Sequence, residues 1–277
     1  MKRKVIDCFT YFQEDDILEI RLNVLNPVVD YFVICESNRT HTNKPKPYNL
    51  ESVLETRFKE FKHKIIYIQY DASVLPDELD FTKAKKYTPT DGHWYIEQTQ
   101  RKSLRIGIDA LNLENDDVVI ISDLDEIPFP ETITNFETGV SKIVMWSKWY
   151  YLNIVRKDCT WARTTIGTWE NLKMYDCESM RWLGGKMIPE AGLHLTYCGG
   201  AEMVISKLKS FSHTEYSGKE FTNLENVTDA MNMKGNLLDA NDKQIVETEF
   251  EEITFPRYPQ WLVDNQHKYN HLIKEIK

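Results

Sequence analysis

Residues 118–128 (VVIISDLDEIP) place three carboxylates, Asp123, Asp125 and Glu126, directly behind four consecutive β-branched residues. Such an apolar run predicts a short strand buried on both faces, as in a parallel sheet. Pro128 prevents its continuation as a paired central strand. In open α/β sheets, ligands gather at the carboxyl ends of the strands. Two aspartates one residue apart at such an end form a hard-oxygen claw for a divalent cation, usually one that also holds phosphate. A solvated turn can carry the same Asp-x-Asp, so the surrounding elements decide its meaning.

Those elements read as β-α-β-α-β. Residues 5–12 predict a first strand. Glu14, Asp15 and Asp16 suit the first turn of a helix, where acid complements the helix dipole. Ile17, Leu18, Ile20, Leu22, Val24 and Leu25 supply its apolar face, and Asn26-Pro27 ends it. Residues 28–35 predict a second strand, Ser52-x-x-Glu55 a capping box opening a helix to about residue 61, and residues 65–70 a third strand. This alternation implies an α/β fold with a mostly parallel sheet covered by helices. A long polar loop over 71–93 carries Lys83, Lys85 and Lys86 and reads as a lid or an excursion. A helix over 94–111 leads into the Asp-x-Asp strand. A short helix after Pro130, an aromatic-rich strand over 143–153, and short antiparallel strands and loops over 154–190 follow. Beyond them come a strand over 193–198, a helix over about 201–211, and a terminal amphipathic helix over 259–277. We read one domain over 1–277: a first part to about 140, a smaller mixed part over 141–216, and a C-terminal extension over 217–277. Gly-rich phosphate loops are absent.

Composition narrows the class. A net charge of -9 argues against a general nucleic-acid or membrane-surface binder. It leaves room for an anionic ligand, because a metal and a few local cations can invert the field at one site. The five cysteines are odd in number and lack C-x-x-C spacing, which points to reduced thiols rather than disulfides or a zinc site. The basic Met1–Lys4 start is followed by too short an apolar run for a signal segment, and no stretch of about 18 apolar residues occurs. The expected setting is therefore soluble and cytoplasmic.

The segments VIDCFTYFQEDDILEIRLNVLNPVVDYFVICES, KPKPYNLE, YIEQTQRKSL and DDVVIISDLDEIPFP, with the later GLHLTYCGG and KLKSFSHTEY, resemble glycosyltransferase family 17. The resemblance runs in order over about residues 4–216. It implies a GT-A-type (Rossmann-like) nucleotide-sugar fold, Mn²⁺ or Mg²⁺, inversion at the anomeric carbon, and UDP-N-acetylglucosamine as donor to a glycan acceptor. Leu193 and Tyr197 depart from the expected aromatic-rich strand, and residues after about 217 carry no resemblance.

Sugar transfer needs a charge sink for the leaving diphosphate, a base for the acceptor hydroxyl and an oriented donor. Asp125 is the candidate direct metal ligand and a catalytic residue. Asp123 would reach the ribose or bind metal through water, and Glu126 would be a ligand or a support beneath the site. The resemblance places a metal or diphosphate histidine at His213, with His194 the competitor. Glu202, at a helix start after Gly199-Gly200, is the candidate base, with Asp176 and Glu170 as alternatives. Phe9, Thr10, Tyr11 and Glu36 should border the nucleotide. Arg101, with Gln98 one turn before it, should meet the diphosphate or the base, though Arg101 or Arg105 can equally be a solvated charge. Trp149, Tyr150 and Tyr151 are candidate sugar platforms or core aromatics.

Two other classes compete. One is a phosphohydrolase with Asp123 as nucleophile and Asp125 as acid; Ile127 and three preceding strands fit it poorly. The other is a nucleotide-sugar-binding protein without turnover.

Overall fold

The computed structural model describes residues 3–82, 88, 90–233 and 248–275, so the expected loop lysines at 83, 85 and 86 lie outside the described residues. The strands are β1 (Val5–Tyr11), β2 (Tyr31–Ser37), β3 (Ile65–Tyr70), β4 (Val118–Asp123), β5 (Glu126–Pro128), β6 (Val140–Ile143), β7 (Met145–Trp149), β8 (Ile154–Trp161), β9 (Thr165–Thr168), β10 (Lys186–Ile188), β11 (Gly192–Thr196) and β12 (Thr248–Phe250). The helices are α1 (Asp15–Leu25), α2 (Leu50–Leu54), α3 (Gly92–Asp109), α4 (Pro130–Thr134), α5 (Trp169–Leu172), α6 (Cys177–Trp182), α7 (Gly200–Leu208), α8 (Lys219–Thr222), α9 (Leu224–Met233) and α10 (Gln260–Asn265).

The first sheet has the order β10-β6-β9-β4-β1-β2-β3 and the second β12-β8-β7-β11-β5. In the first, β1, β2, β3 and β4 run parallel, and β9 is antiparallel to both β4 and β6. The chain moves outward from β1 to β2 and β3, then returns to β4 on the other side of β1. That reversal creates the crevice where open α/β sheets bind ligands. Thr10 at the end of β1 is the register partner of Asp123 at the end of β4.

Strand alternation divides the core. Phe9, Ile34, Val118 and Ile120 point to the face covered by α1, while Cys8, Val33, Cys35, Val119 and Ile121 point to the face covered by α3. A β-carbon on Gly107 would lie 2.6 Å from Val33 Cγ1, so glycine there lets α3 settle on β2. Asp91 starts α3 by accepting from the backbone N–H of His93 at 3.0 Å, the role of a short polar cap. All five cysteines are free thiols, as expected.

Four sequence expectations change. The second strand begins at Tyr31 rather than 28, because Asp30 turns the chain by accepting from the Val5 N–H at 2.9 Å. The capping box at Ser52 is not formed: Glu36 accepts from the N–H groups of Asn49 (2.8 Å) and Leu50 (3.0 Å), which starts α2 earlier and leaves Ser52 inside it. The strand expected over 143–153 is shorter: β7 covers Met145–Trp149 in the second sheet, Ile143 ends β6 in the first, and Val144 between them donates its N–H to the Ile188 carbonyl. The long terminal helix gives way after Asn265 to a tighter helical stretch with a kink at Tyr269.

The C-terminal segment is fastened to the second sheet through Lys148. Its fully buried ammonium pairs with Glu251 Oε2 at 2.5 Å and sits 4.3 Å from the Tyr258 ring. Burial pushes the Lys148 pKa down to about 8, with Glu251 opposing the shift. Between about pH 8 and the ordinary lysine value, the folded chain binds fewer protons than the unfolded one, so stability rises with pH across that window. Urea unfolding at pH 8 and pH 10 should show a smaller rise for Lys148→Met than for the wild type. Equal rises would contradict this reading.

Candidate functional site

A cavity of about 540 Å³ lies against the carboxyl ends of β1, β2 and β4 and is walled on the other side by β7, β8 and β11. Its geometry starts from one fully buried side chain. Arg21, on α1, pairs with Asp7 of β1 through two hydrogen bonds of 2.8 and 2.6 Å. The same guanidinium donates to the backbone carbonyls of Asp123 (2.8 Å), Leu124 (3.0 Å) and Glu126 (2.8 Å), and to Ser122 Oγ (2.6 Å). Drawing these carbonyls inward leaves the Asp123 and Asp125 side chains on the cavity side of the turn. Phe9 closes the base of the arrangement, with its ring centroid 4.2 Å from the guanidinium carbon.

Glu126 provides the second support. It is fully buried and accepts from both terminal nitrogens of Arg181 (2.9 and 2.6 Å), from Thr164 Oγ1 (2.7 Å), from the Asp123 N–H (3.1 Å) and from the Trp161 indole. Its carboxylate is used up beneath the turn. Arg181 reaches on to Asp123 Oδ2 at 2.6 Å, and Arg101 of α3 reaches Asp123 Oδ1 at 3.0 Å. Arg101 also pairs with Glu97 at 3.0 Å and with Glu178. Burial works to raise the Asp123 pKa, but Arg181 and Arg101 overcome it and hold the carboxyl well below its usual range.

Asp125 is held differently. Its Oδ2 accepts from Lys207 Nζ at 2.8 Å, while Oδ1 accepts no hydrogen bond among the described residues and lies 3.9 Å from His194 Nε2. Burial likewise works to raise the Asp125 pKa, and Lys207 and His194 bring it below the usual value. His194 stacks on Trp161 with ring centroids 4.7 Å apart. Burial lowers its pKa against the opposing pull of Asp125, which favours neutral imidazole with a lone pair to offer.

The corner as a whole is acidic. Asp123, Asp125, Glu97, Glu126 and Glu178 are ion-paired to Arg101, Arg181 and Lys207, five carboxylates against three cations. The whole cavity wall reads the other way, with seven Arg or Lys side chains and five Asp or Glu side chains. Among the described residues, no group of three His, Cys, Asp or Glu side chains is arranged to hold a metal ion. The donors present nevertheless fit one. A hard carboxylate oxygen and a neutral imidazole nitrogen face each other in a corner with surplus negative charge, a set suited to Mn²⁺ or Mg²⁺ that also takes ligands from phosphate and water.

The other sequence candidates divide by place. Thr10, Tyr11, Arg101, Asp123, Asp125, His194, His213 and Trp149 line the cavity. His213 is paired with Glu215 at 2.9 Å and packs edge-on to Trp94 at 4.9 Å, so His194 is the histidine within 4 Å of Asp125. Phe9 is in the core under Arg21. Glu36 is buried and committed to α2, Lys46 and Tyr67. Gln98 lies between two cavity residues of α3, Glu97 and Gln100, without lining the wall itself. Glu202 is exposed in the first turn of α7, whereas Lys207 of the same helix faces the cavity. Five residues turn a helix by about 140°, which sets the two on different faces. Asp176 caps α6 by accepting from the Ser179 N–H at 2.8 Å, Glu170 is exposed, and Arg105 is held by Asp109 on its own helix at 2.6 Å. Tyr150 is buried and Tyr151 lies off the cavity wall.

Sequence reasoning missed Arg21, Glu178, Arg181 and Lys207. Arg21 had a signal: it is the lone charge within the apolar face of α1, and a buried arginine must be paired. Its replacement by Met would strand Asp7 and free three carbonyls. We expect Arg21→Met to lose about 3–5 kcal/mol of stability in urea unfolding, the range for breaking a buried pair. A loss below about 1 kcal/mol would show that the clamp contributes little.

The chain is 35% identical over 127 residues to the Beta-1,4-mannosyl-glycoprotein 4-beta-N-acetylglucosaminyltransferase of Homo sapiens, and equally so to the proteins of that name from Rattus norvegicus and Mus musculus. The aligned part is 46% of this chain and 22% of each relative, so the match spans less than a quarter of their length. Residues 1–274 match Glycosyltransferase family 17. With that match running from end to end of the two sheets, the chain belongs to glycosyltransferase family 17.

Proposed function

We propose that the cavity binds a UDP-sugar, with UDP-N-acetylglucosamine the first candidate, and transfers its sugar with inversion to a glycan hydroxyl in a metal-dependent reaction. The observation that carries this reading is the Arg21-clamped turn, which holds Asp123 and Asp125 at the β1–β4 crevice of a cation-rich cavity. Thr10 and Tyr11, at the end of β1, border the nucleotide. Arg101 and Arg181 keep Asp123 ionised and oriented toward the donor. Asp125 Oδ1 and His194 Nε2 would hold Mn²⁺ or Mg²⁺, which when bound supplies a Lewis acid for the leaving diphosphate. Trp149 and Trp161 on the far wall, and Trp182 of α6, line the cavity with aromatic surface of the kind that suits sugar rings.

The phosphohydrolase alternative asks Asp123 to attack phosphorus, yet both its oxygens accept hydrogen bonds from arginines, which weakens it as a nucleophile. The decisive assay follows UDP-N-acetylglucosamine turnover with Mn²⁺, by slow donor hydrolysis and by transfer to a panel of glycans. We expect turnover in the wild type and a loss of at least about 100-fold in Asp125→Asn, the scale for removing one electrostatic stabiliser. No turnover of any nucleotide sugar alongside tight binding would favour a binding protein, and phosphate release from simple phosphomonoesters would favour the hydrolase. Because Glu202 is exposed and turned from the cavity, Glu202→Ala should keep transfer within about tenfold. A loss of 10²–10⁴, the scale for a general base, would restore it to that role.

A further inference from the structure

We propose that Lys207 makes metal binding depend on the diphosphate: its ammonium holds one oxygen of Asp125, beside the oxygen that the metal would take, and repels a free divalent ion until a diphosphate arrives. This rests on the metal-dependent reading above. The backbone of Asp125 is fixed beside Lys207. Its backbone carbonyl accepts from the Leu195 N–H at 2.8 Å, and Arg21 fixes the carbonyls on either side of it. Lys207 can move. It hangs on a four-carbon stem from the last turn of α7, its side chain is 26% exposed to the cavity, and Asp125 is its one ion-pair partner among the described residues. The Tyr197 ring, 5.8 Å from Nζ, offers a face along which the ammonium can be displaced.

Charge decides the order of events. A dication on Asp125 would share one carboxylate with Lys207, and Arg101 and Arg181 stand on the neighbouring Asp123. Like charges that close oppose each other strongly in a buried corner, where screening by water is weak. A diphosphate removes the conflict, because its oxygens can take the metal and the released ammonium together. Metal and nucleotide affinities are then reciprocally coupled, each raising the other by the same factor. Surface lysines at a cavity mouth would add affinity for the anion alone. Lys207 differs because its present partner is the carboxylate that the metal needs.

The test measures Mn²⁺ binding to the full chain by electron paramagnetic resonance of the free ion, with and without UDP, after correction for Mn²⁺ held by UDP in solution. In the wild type we expect weak binding of Mn²⁺ alone and at least about tenfold tighter binding with UDP, within the usual range of coupling between sites. Lys207→Met should bind Mn²⁺ alone about tenfold more tightly than the wild type, with a smaller UDP effect, and Lys207→Arg should behave like the wild type. Lys207→Gln serves the same purpose if Lys207→Met does not fold. Unchanged or weaker binding of Mn²⁺ alone in the folded neutral variant overturns the inference while leaving metal dependence intact. No Mn²⁺ binding to any of the proteins, with or without UDP, overturns the metal-dependent reading and this inference with it.

Discussion

The site depends on how Arg21 spends its hydrogen bonds. A guanidinium has five N–H donors and no acceptor, and a buried one must find oxygen for nearly all of them. Here Asp7 supplies charge neutralisation, and Ser122 together with the carbonyls of Asp123, Leu124 and Glu126 supplies the remaining acceptors. Those oxygens can all be reached at once only if the chain after β4 bends back over Arg21. The requirement therefore selects one turn conformation, and the side chains of Asp123 and Asp125 follow from it. Glu126 repeats the device one layer over, bonding Arg181, Trp161 and Thr164, and so ties α6 and the second sheet to the same turn.

From this frame comes a separation of charge that the net value of -9 conceals. Acidic groups concentrate where a cation would sit, and arginines and lysines outnumber acids around the cavity wall as a whole. A cavity with low-dielectric walls focuses such a field, so an anionic ligand is drawn in although the whole molecule repels it. The two aspartates also differ in kind. Asp123 is locked between two arginines, while Asp125 keeps one oxygen toward His194 and shares the other with Lys207.

Much of the first sheet was legible in the sequence because its signals are local. The run 118–121 gave away β4, residues 65–70 marked β3 outright, and Pro130 announced α4. The Asp-x-Asp turn was visible for the same reason. What stayed hidden was set by pairing over distance. Arg21 meets the turn across more than 100 residues, Arg181 meets Glu126 across 55, and Lys207 meets Asp125 across 82. Helix α6, which carries Glu178 and Arg181, has six residues, too few for a helical period to emerge. The change of sheet at Val144, between β6 and β7, likewise rests on pairing with the distant Ile188, and the aromatic pattern over 143–153 does not encode it. His194 was in view as the lesser histidine; its standing rises because strand register sets it opposite Glu126 and beside Asp125.

The most direct test of the account is a crystal structure of the chain with Mn²⁺ and UDP-N-acetylglucosamine, with the metal located by its anomalous signal. The account predicts one metal peak bonded to Asp125 Oδ1 and His194, with the diphosphate beside it, Lys207 moved off Asp125 onto a phosphate oxygen, and the Asp123 arginines unmoved. A metal bound elsewhere in the cavity, or a nucleotide seated away from the β1–β4 crevice with Lys207 still on Asp125, would contradict it.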